Sequence, residues 1–358
     1  MINVTKTYLP PIEEYTSYLK GIWDRSWVTN YGPLFVELEA KLKEYLGIDY
    51  LSFCSNGTVA LEVALKALEI KEEVITTPFS YVATTNSIIW ENCTPVFVDI
   101  RKDDLCLDAS KIEAKITSKT TAIMAVHVYG YPCDVDAIDV IAKKYNLKVI
   151  YDAAHAFGVK YKGKSLLSYG DISTCSFHAT KLFHTIEGGA IVSNSTELAK
   201  KIKLMTTFGH EGDNYYSVGI NGKNSEFHAA IGLCILPKID DIIKDRKKVS
   251  SLYDSNLNFS DFKLTRPQSH FPLEYNYAYY PVIFESEEKV LEIRKLLIEN
   301  DINTRRYFYP SLNELPFITY DKCEISEDIA RRVLSLPLYV DIESEMVMKI
   351  CNLINSKL

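Results

Sequence analysis

From residue 50 onward, short apolar runs rich in β-branched residues alternate with longer amphipathic ones. The pattern predicts strands at 50–54, 74–77, 94–100, 121–128 and 148–151, with helices between them at 58–69, 81–91, 110–116 and 135–145. Alternation of this kind implies an α/β chain with a large, mostly parallel sheet, helices on both faces, and ligands outside the carboxyl ends of the strands. Chemistry is therefore expected in the strand-to-helix loops. Segments 171–177 and 189–193 read as two further strands flanking a polar turn, and 196–207 as a helix. A long helical stretch, 225–257, is broken near Pro237. Beyond it, 275–284 is strand-like while 287–300 and 343–358 are helical, which outlines a smaller α+β C-terminal domain. The expected division is a large domain at 1–240, including the N-terminal segment, and a small one at 241–358.

Composition narrows the partners. With 358 residues, 47% hydrophobic and 24% charged, the chain has ample core for about two domains. Its net charge of −7 is the wrong sign for gripping nucleic acid. An anionic ligand must be held locally, by backbone N–H groups and a few cations. The eight cysteines have no C-x-x-C spacing, so zinc and redox motifs are not expected. No apolar run reaches the ~18 residues of a membrane span, and residues 1–6 lack the build of a signal peptide. The expectation is a reduced, cytoplasmic protein with neither metal nor membrane.

One motif fails on context. Residues 158–165 satisfy the phosphate-loop pattern G-x-x-x-x-G-K-[ST]. Such a loop must leave a strand and open a helix, whereas residues 159–162 alternate like a strand and Lys162-Gly163 resembles a turn. A surface hairpin accounts for the same letters.

Four loops carry candidate chemistry. Ser55-Asn56-Gly57-Thr58 leaves a strand and opens a helix. Gly57 lets a ligand approach the backbone, Thr58 supplies a hydroxyl, and the helix start offers free N–H groups to a phosphate. An ordinary helix cap prefers the same residues. Pro78 to Ala83 leaves the next strand with Tyr81 at its lip, where an aromatic either covers a bound ring or packs in the core. Asp152 ends an apolar strand and is followed by Ala153-Ala154-His155. Packing explains it poorly, because a buried carboxylate needs a partner: a ligand cation, a helix start or a nearby lysine. His155 is either a ligand contact or a hydrogen-bonded core histidine. Lys181 lies between an apolar strand and a glycine turn, flanked by Phe177, Leu182 and Phe183. Partial burial would lower its pKa and make it a nucleophile toward aldehydes. A snorkelling surface lysine is the plainer alternative.

Taken in order, Asp152-Ala153-Ala154-His155-Ala156, the Ser176-Phe177 pair with Lys181, and Glu187-Gly188-Gly189 resemble the nucleotide-sugar aminotransferases of the DegT/DnrJ/StrS family. The resemblance runs over nearly the whole chain, through 27–33, 55–58, 126–130, 219–226 and 336–338. It implies the aspartate-aminotransferase fold, fold type I of the pyridoxal-phosphate (PLP) enzymes, with pyridoxal 5′-phosphate as cofactor and a homodimer with shared active sites. By the same resemblance Lys181 is the Schiff-base lysine and Asp152 the partner of the pyridinium nitrogen. Tyr81 would stack on the cofactor ring. Gly57, Thr58 and Ser176 would hold its phosphate, with Asn221 reaching over from the neighbouring subunit. Many relatives carry Gln where this chain has His155, and either side chain can hydrogen-bond the ring hydroxyl.

The implied reaction passes an amino group from L-glutamate to a keto-sugar. The run from Phe177 to Lys181, followed by Glu187-Gly188-Gly189, resembles members that aminate C-4 of a dTDP-linked 4-keto-6-deoxyhexose, giving dTDP-4-amino-4,6-dideoxyglucose for a bacterial surface polysaccharide. Amination at C-3, or of a UDP- or GDP-linked sugar, is the alternative. Sugar contacts are expected from Thr29, Asn30 and Tyr31, from His178 and His184, and from Tyr307 and Tyr309. Relatives that deoxygenate sugars carry His in place of the lysine, and Lys181 argues against that chemistry. Asp152 and Lys181 together argue against a binding protein that keeps the fold without turnover.

Overall fold

The computed structural model describes residues 1–260 and 262–358. Two helices, α1 (Ile12–Arg25) and α2 (Pro33–Leu46), lead into an alternating region. It comprises β1 (Tyr50–Cys54), α3 (Gly57–Ala67), β2 (Glu73–Thr76), α4 (Ala83–Trp90), β3 (Thr94–Phe97), β4 (Thr120–Val126), α5 (Val135–Tyr145) and β5 (Lys148–Asp152). A hairpin of β6 (Lys160–Tyr161) and β7 (Lys164–Ser165) precedes β8 (Ile172–Ser176) and β9 (Gly189–Ser193). Next come α6 (Thr196–Met205), a second hairpin of β10 (His210–Glu211) and β11 (Asn214–Tyr215), then α7 (Glu226–Ile235) and α8 (Ile239–Asn256). The remainder holds β12 (Leu264–Thr265), β13 (Leu273–Glu274), β14 (Tyr280–Phe284), α9 (Glu287–Glu299), α10 (Glu324–Arg332), β15 (Val333–Leu336) and α11 (Ser344–Asn355).

Seven strands form one sheet in the order β1-β9-β8-β5-β4-β2-β3. The pairs β2–β3, β2–β4, β4–β5 and β5–β8 are parallel, and β9 alone runs against both its neighbours. Strands buried on both faces read as apolar runs rather than as alternation, as β4 does. On one face Leu61, Leu65 and Ile88 of α3 and α4 pack on Ile150, Ile172 and Ile191. On the other, Phe35, Leu38, Ile138 and Ala229 of α2, α5 and α7 join the main core. A second core gathers under the antiparallel sheet β12-β14-β15, between α9, α11 and the end of α8. The first residues of the chain lie on this C-terminal part: the Ile2 N–H donates to the Asp301 carbonyl at 2.7 Å and the Leu338 N–H to the Val4 carbonyl at 3.1 Å.

Two expected elements come out differently. In place of a helix at 110–116 there are two single 3₁₀ turns, Ala109–Lys111 and Glu113–Lys115, because Asp108 caps the first and the chain must turn again before β4. The strand expected at 275–284 starts only at Tyr280, since Tyr277 has a left-handed backbone with φ 52° and breaks the extended run. The break near Pro237 is a 3₁₀ turn, Leu236–Lys238, between α7 and α8.

The phosphate-loop letters form the β6–β7 hairpin. Lys160 pairs with Ser165 and Tyr161 with Lys164, around Lys162 and Gly163 at φ 52° and 73°. A two-residue turn with both φ positive matches the twist of a hairpin and opens no helix. Gly163→Val should therefore cost about 1–2 kcal/mol in denaturant unfolding, from the left-handed backbone alone. Lys164→Ala should shift stability by no more than ~0.5 kcal/mol and leave nucleotide-sugar affinity unchanged.

Candidate active site

The site begins where β9 enters the sheet. Gly189 pairs with Cys54 on one side and Ser176 on the other, so the carboxyl ends of β1 and β8 meet. Gly57 opens α3 just beyond, and a Cβ there would lie 2.8 Å from the Ser176 Cβ. Asn56 caps α3, its Oδ1 accepting the Val59 N–H at 2.9 Å, while the N–H groups of Gly57 and Thr58 have no partner among the described residues. The cap therefore leaves the first two N–H groups of the helix available to a ligand. Two free N–H groups, the positive end of α3 and the hydroxyls of Thr58 and Ser176 make a corner suited to an anion.

Asp152 ends β5 with only 6% of its surface exposed. Its Oδ2 accepts the Thr84 hydroxyl at 2.7 Å, and its Oδ1 accepts the Ala154 N–H at 3.1 Å. Thr84 in turn shares a 2.7 Å hydrogen bond with Ser80. Hydrogen bonds to a charged group contribute roughly 1.5–3 kcal/mol each, which offsets part of the cost of burying the carboxylate. Tyr81, in the same turn, is 59% exposed, which removes the core-packing reading for its ring.

Residues 177–188 fold back on themselves, the Phe177 N–H donating to the Gly188 carbonyl at 2.7 Å and the Thr185 N–H to the Phe177 carbonyl at 2.9 Å. Lys181 is half-buried on this loop and donates from Nζ to the Tyr279 hydroxyl at 3.4 Å. With His155 and Ser176 it lines a small cavity. The His155 Nδ1 accepts the Tyr129 N–H at 3.2 Å, so the neutral ring carries its proton on Nε2. Burial first, and the Lys181 charge second, push His155 well below the ordinary histidine range and keep it neutral. Its ring lies parallel to Phe308 at 5.6 Å and meets Tyr279 edge-on at 4.8 Å.

The other expected residues divide. Tyr307 reaches this recess through the Tyr279 ring, 5.6 Å away, whereas Tyr309 is exposed beneath the Arg306 guanidinium. Thr29 and Asn30 are surface residues near α2, and Tyr31 lines a separate groove of about 520 Å³ with Glu39 and Lys203. Asn221 is exposed and bonded to Lys223, on a loop fastened by the Ser55 N–H to the Gly222 carbonyl at 2.8 Å. His178 is exposed and held by the Thr180 hydroxyl at 2.8 Å. His184 is not a pocket residue: its ring is fully buried, with Nε2 on the Tyr8 carbonyl at 2.8 Å and Nδ1 accepting the Ile186 N–H at 3.2 Å. Both nitrogens are used, which leaves none for a sugar.

Four contributors escape the sequence reading: Thr84, Tyr279, Asn276 and Arg246. Arg246 alone leaves a signal. On α8 the buried face runs Ile239, Ile242, Arg246, Val249, Tyr253, with a cation where the spacing asks for an apolar residue.

The model of the DegT/DnrJ/EryC1/StrS aminotransferase family matches residues 11–355. The chain is 43% identical to the dTDP-4-amino-4,6-dideoxy-D-glucose transaminase of Shigella dysenteriae, over 97% of this chain and 96% of that one. It is 41% identical to the protein of the same name from Escherichia coli, over 100% of this chain and 99% of that one. Among solved structures, DesI with its TDP-sugar product superposes with a TM-score of 0.93 at 28% identity, covering 99% of this chain and 92% of DesI. The residues fit pyridoxal phosphate on a feature of the fold, since a Cβ at Gly57 would fill the corner beside Ser176 where a phosphate needs bare backbone. Similarity over the whole length, the shared fold and this fit lead to one conclusion: the chain belongs to the DegT/DnrJ/EryC1/StrS aminotransferase family and is a pyridoxal-phosphate-dependent sugar aminotransferase.

Proposed function

We propose that this enzyme moves the amino group of L-glutamate to C-4 of dTDP-4-keto-6-deoxyglucose, giving dTDP-4-amino-4,6-dideoxyglucose. The observation that supports the catalytic part is that Lys181, His155 and Ser176 line one cavity, with Gly57 packed against Ser176 and Asp152 ending the strand beside β8. The sugar is inferred from the relatives of 43% and 41% identity. Cytoplasmic work toward a bacterial surface polysaccharide belongs to the same proposal. Eight buried, free cysteines support a reducing compartment.

Bound pyridoxal phosphate supplies an aldehyde that takes the amino group and a protonated ring that draws electrons from the neighbouring carbon. Gly57 and Thr58 N–H groups, with the hydroxyls of Thr58 and Ser176, would hold its phosphate. Asp152, its carboxylate directed by Thr84 and the Ala154 N–H, would hold the ring nitrogen. The Nε2–H of His155 would be the donor to the ring hydroxyl, and Tyr81 would cover the ring. Lys181 would be the residue that holds the aldehyde, and its amine, when free, would be the group that carries the substrate's proton. Which ketone reacts is then a matter of how the rim, including Tyr307, Tyr309 and His178, orients the hexose.

The division near residue 240 into a cofactor-binding domain and a smaller domain is part of this reading, supported by the two separate cores. So is a homodimer with shared active sites. Phe208, Tyr215, Tyr216 and Val218 are exposed on and beside the β10–β11 hairpin, next to Asn221, and apolar surface of that kind favours a covering partner. Thr29, Asn30 and Tyr31, away from the chain's own Lys181, would then contact sugar from across the interface.

Lys181→Ala should lose the borohydride-trapped cofactor adduct, and its kcat should fall at least about 100-fold. Asp152→Asn should keep the cofactor and lose about 10²–10³-fold in kcat. An adduct surviving in the first variant, or a normal rate in the second, would contradict the roles. Sedimentation at assay concentration should find a dimer; a fully active monomer would remove the shared site. The substrate is tested by offering L-glutamate with dTDP-4-keto-6-deoxyglucose, its 3-keto isomer and the GDP- and UDP-linked 4-keto sugars, with NMR of the products. The dTDP-linked 4-amino sugar is expected, and amination confined to C-3 or to another nucleotide would overturn the assignment.

A further inference from the structure

The segment 276–279 comes from the C-terminal part of the chain, yet it is tied to the turn that carries His155 and held from behind by α8. Asn276 donates from Nδ2 to the carbonyls of His155 and Phe157 at 2.8 and 2.9 Å, and its Oδ1 accepts the Ala278 N–H at 3.1 Å. From the other side Arg246 donates from Nε to the Tyr277 carbonyl at 2.8 Å and from Nη2 to the Ala278 carbonyl at 2.6 Å. This guanidinium is buried, and burial lowers its pKa to about 10. Burying a cation is costly, and its hydrogen bonds to the two carbonyls offset part of that cost while fixing their position. The next residue is Tyr279, nearly buried, whose hydroxyl accepts the hydrogen bond from Lys181 Nζ at 3.4 Å. Its ring is steadied by Tyr129 at 5.7 Å, His155 at 4.8 Å and Tyr307 at 5.6 Å.

We propose that Tyr279 is a catalytic residue of this enzyme, its phenolic oxygen accepting a hydrogen bond from Lys181 Nζ and so aiming the amine's lone pair at the reacting carbon. The inference rests on the reading of Lys181 as the cofactor lysine and proton carrier. A free lysine amine turns about its Cε–Nζ bond, and committing one N–H to a fixed oxygen removes that freedom. When Nζ takes the proton it becomes an ammonium, and the same N–H···O bond strengthens with the charge. The interaction is thus stronger after proton uptake than before, the condition for lowering the barrier. No proton leaves the tyrosine: the one taken from the substrate carbon stays on Nζ until it is delivered. Asn276 and Arg246 are positioning residues for this hydroxyl.

The test is Tyr279→Phe in the holoenzyme, which removes one oxygen and keeps the ring contacts. In the half-reaction with L-glutamate, kcat should fall about tenfold or more, with KM changed by no more than about twofold. Borohydride trapping on Lys181 and the melting temperature should match wild type. The pH midpoint of the bound cofactor's visible band should move down, because an acceptor that favours the protonated nitrogen is gone. A Tyr279→Phe enzyme with wild-type kcat and an unmoved midpoint overturns the proposal, as does a loss of rate seen only in Tyr279→Leu, which would trace the effect to ring packing. If wild-type enzyme yields no adduct on Lys181, the reading of that lysine fails first, and the failure is distinguishable from a silent Tyr279→Phe.

Discussion

The arrangement depends on one strand running the wrong way. A wholly parallel sheet would leave the ends of β1 and β8 as separate loops. β9 lies antiparallel between them and puts Cys54, Gly189 and Ser176 in one row, which closes the sheet's carboxyl edge over a single point. Two glycines make this passable. A Cβ at Gly188 would lie 2.1 Å from the Thr185 hydroxyl, and one at Gly189 2.5 Å from the Asn56 carbonyl oxygen. Contacts that short do not occur between real Cβ atoms and their neighbours, so a larger residue at 189 would push the start of α3 away from Ser176 and open the anion corner, and one at 188 would displace Thr185. The loop that carries Lys181 hangs from the same junction, through the Phe177–Gly188 hydrogen bond.

Around this junction the buried charges are balanced mostly by neutral dipoles. Asp152 takes a hydroxyl and an N–H, and Arg246 gives to two carbonyls. Glu226 accepts the N–H groups of Leu34 and Phe35 at the start of α2, at 3.0 and 2.7 Å, with the Arg25 guanidinium at 3.7 Å. The carboxylate sits so close to Gly32 that a Cβ there would come within 2.4 Å of it. Each of these groups fastens a segment to the main body: the 78–84 turn, the 276–279 segment and the start of α2. Fixed dipoles hold a geometry without adding a mobile counter-charge that would compete with an anionic ligand.

What the sequence made legible follows from range. The strands of the main sheet and most helices depend on local periodicity and came out within a few residues. Two of the four candidate loops, 55–58 and 78–83, lie between a recognisable strand and helix, and the other two follow the apolar strands β5 and β8. Contacts across more than a hundred positions did not. Nothing near residue 279 announces Lys181, and the tyrosine-rich run at 275–280 read as an ordinary strand until Asn276 and the left-handed Tyr277 bent it into the recess. His184 failed in the opposite sense. Three residues beyond the lysine it looked like pocket lining, but the loop turns back there, and the ring finds the Tyr8 carbonyl from the far end of the chain. Thr84 lay one residue outside a motif already singled out, invisible because a helical threonine says nothing of which carboxylate it faces.

In the function proposed above the two parts of the chain divide the work: the main body would offer the anion corner, the carboxylate and the lysine, and the C-terminal part would aim, through Tyr279 at the amine and through Tyr307 at the rim. α8 joins the two, with Ile239 and Ile242 in the main core and Val249 and Tyr253 in the second. Arg246 lies between those pairs on the same helix, so the residue that orients 277 and 278 is seated where the cores meet. A shift of one part against the other would move the Tyr279 oxygen away from Nζ before it disturbed the anion corner, because the corner is built from α3 and β8, both in the main body. Binding is therefore the more robust property and proton transfer the more sensitive one. Substitutions that loosen the junction should lower turnover before they release the cofactor, and changes at the exposed rim can alter the choice of sugar while both inner functions stand.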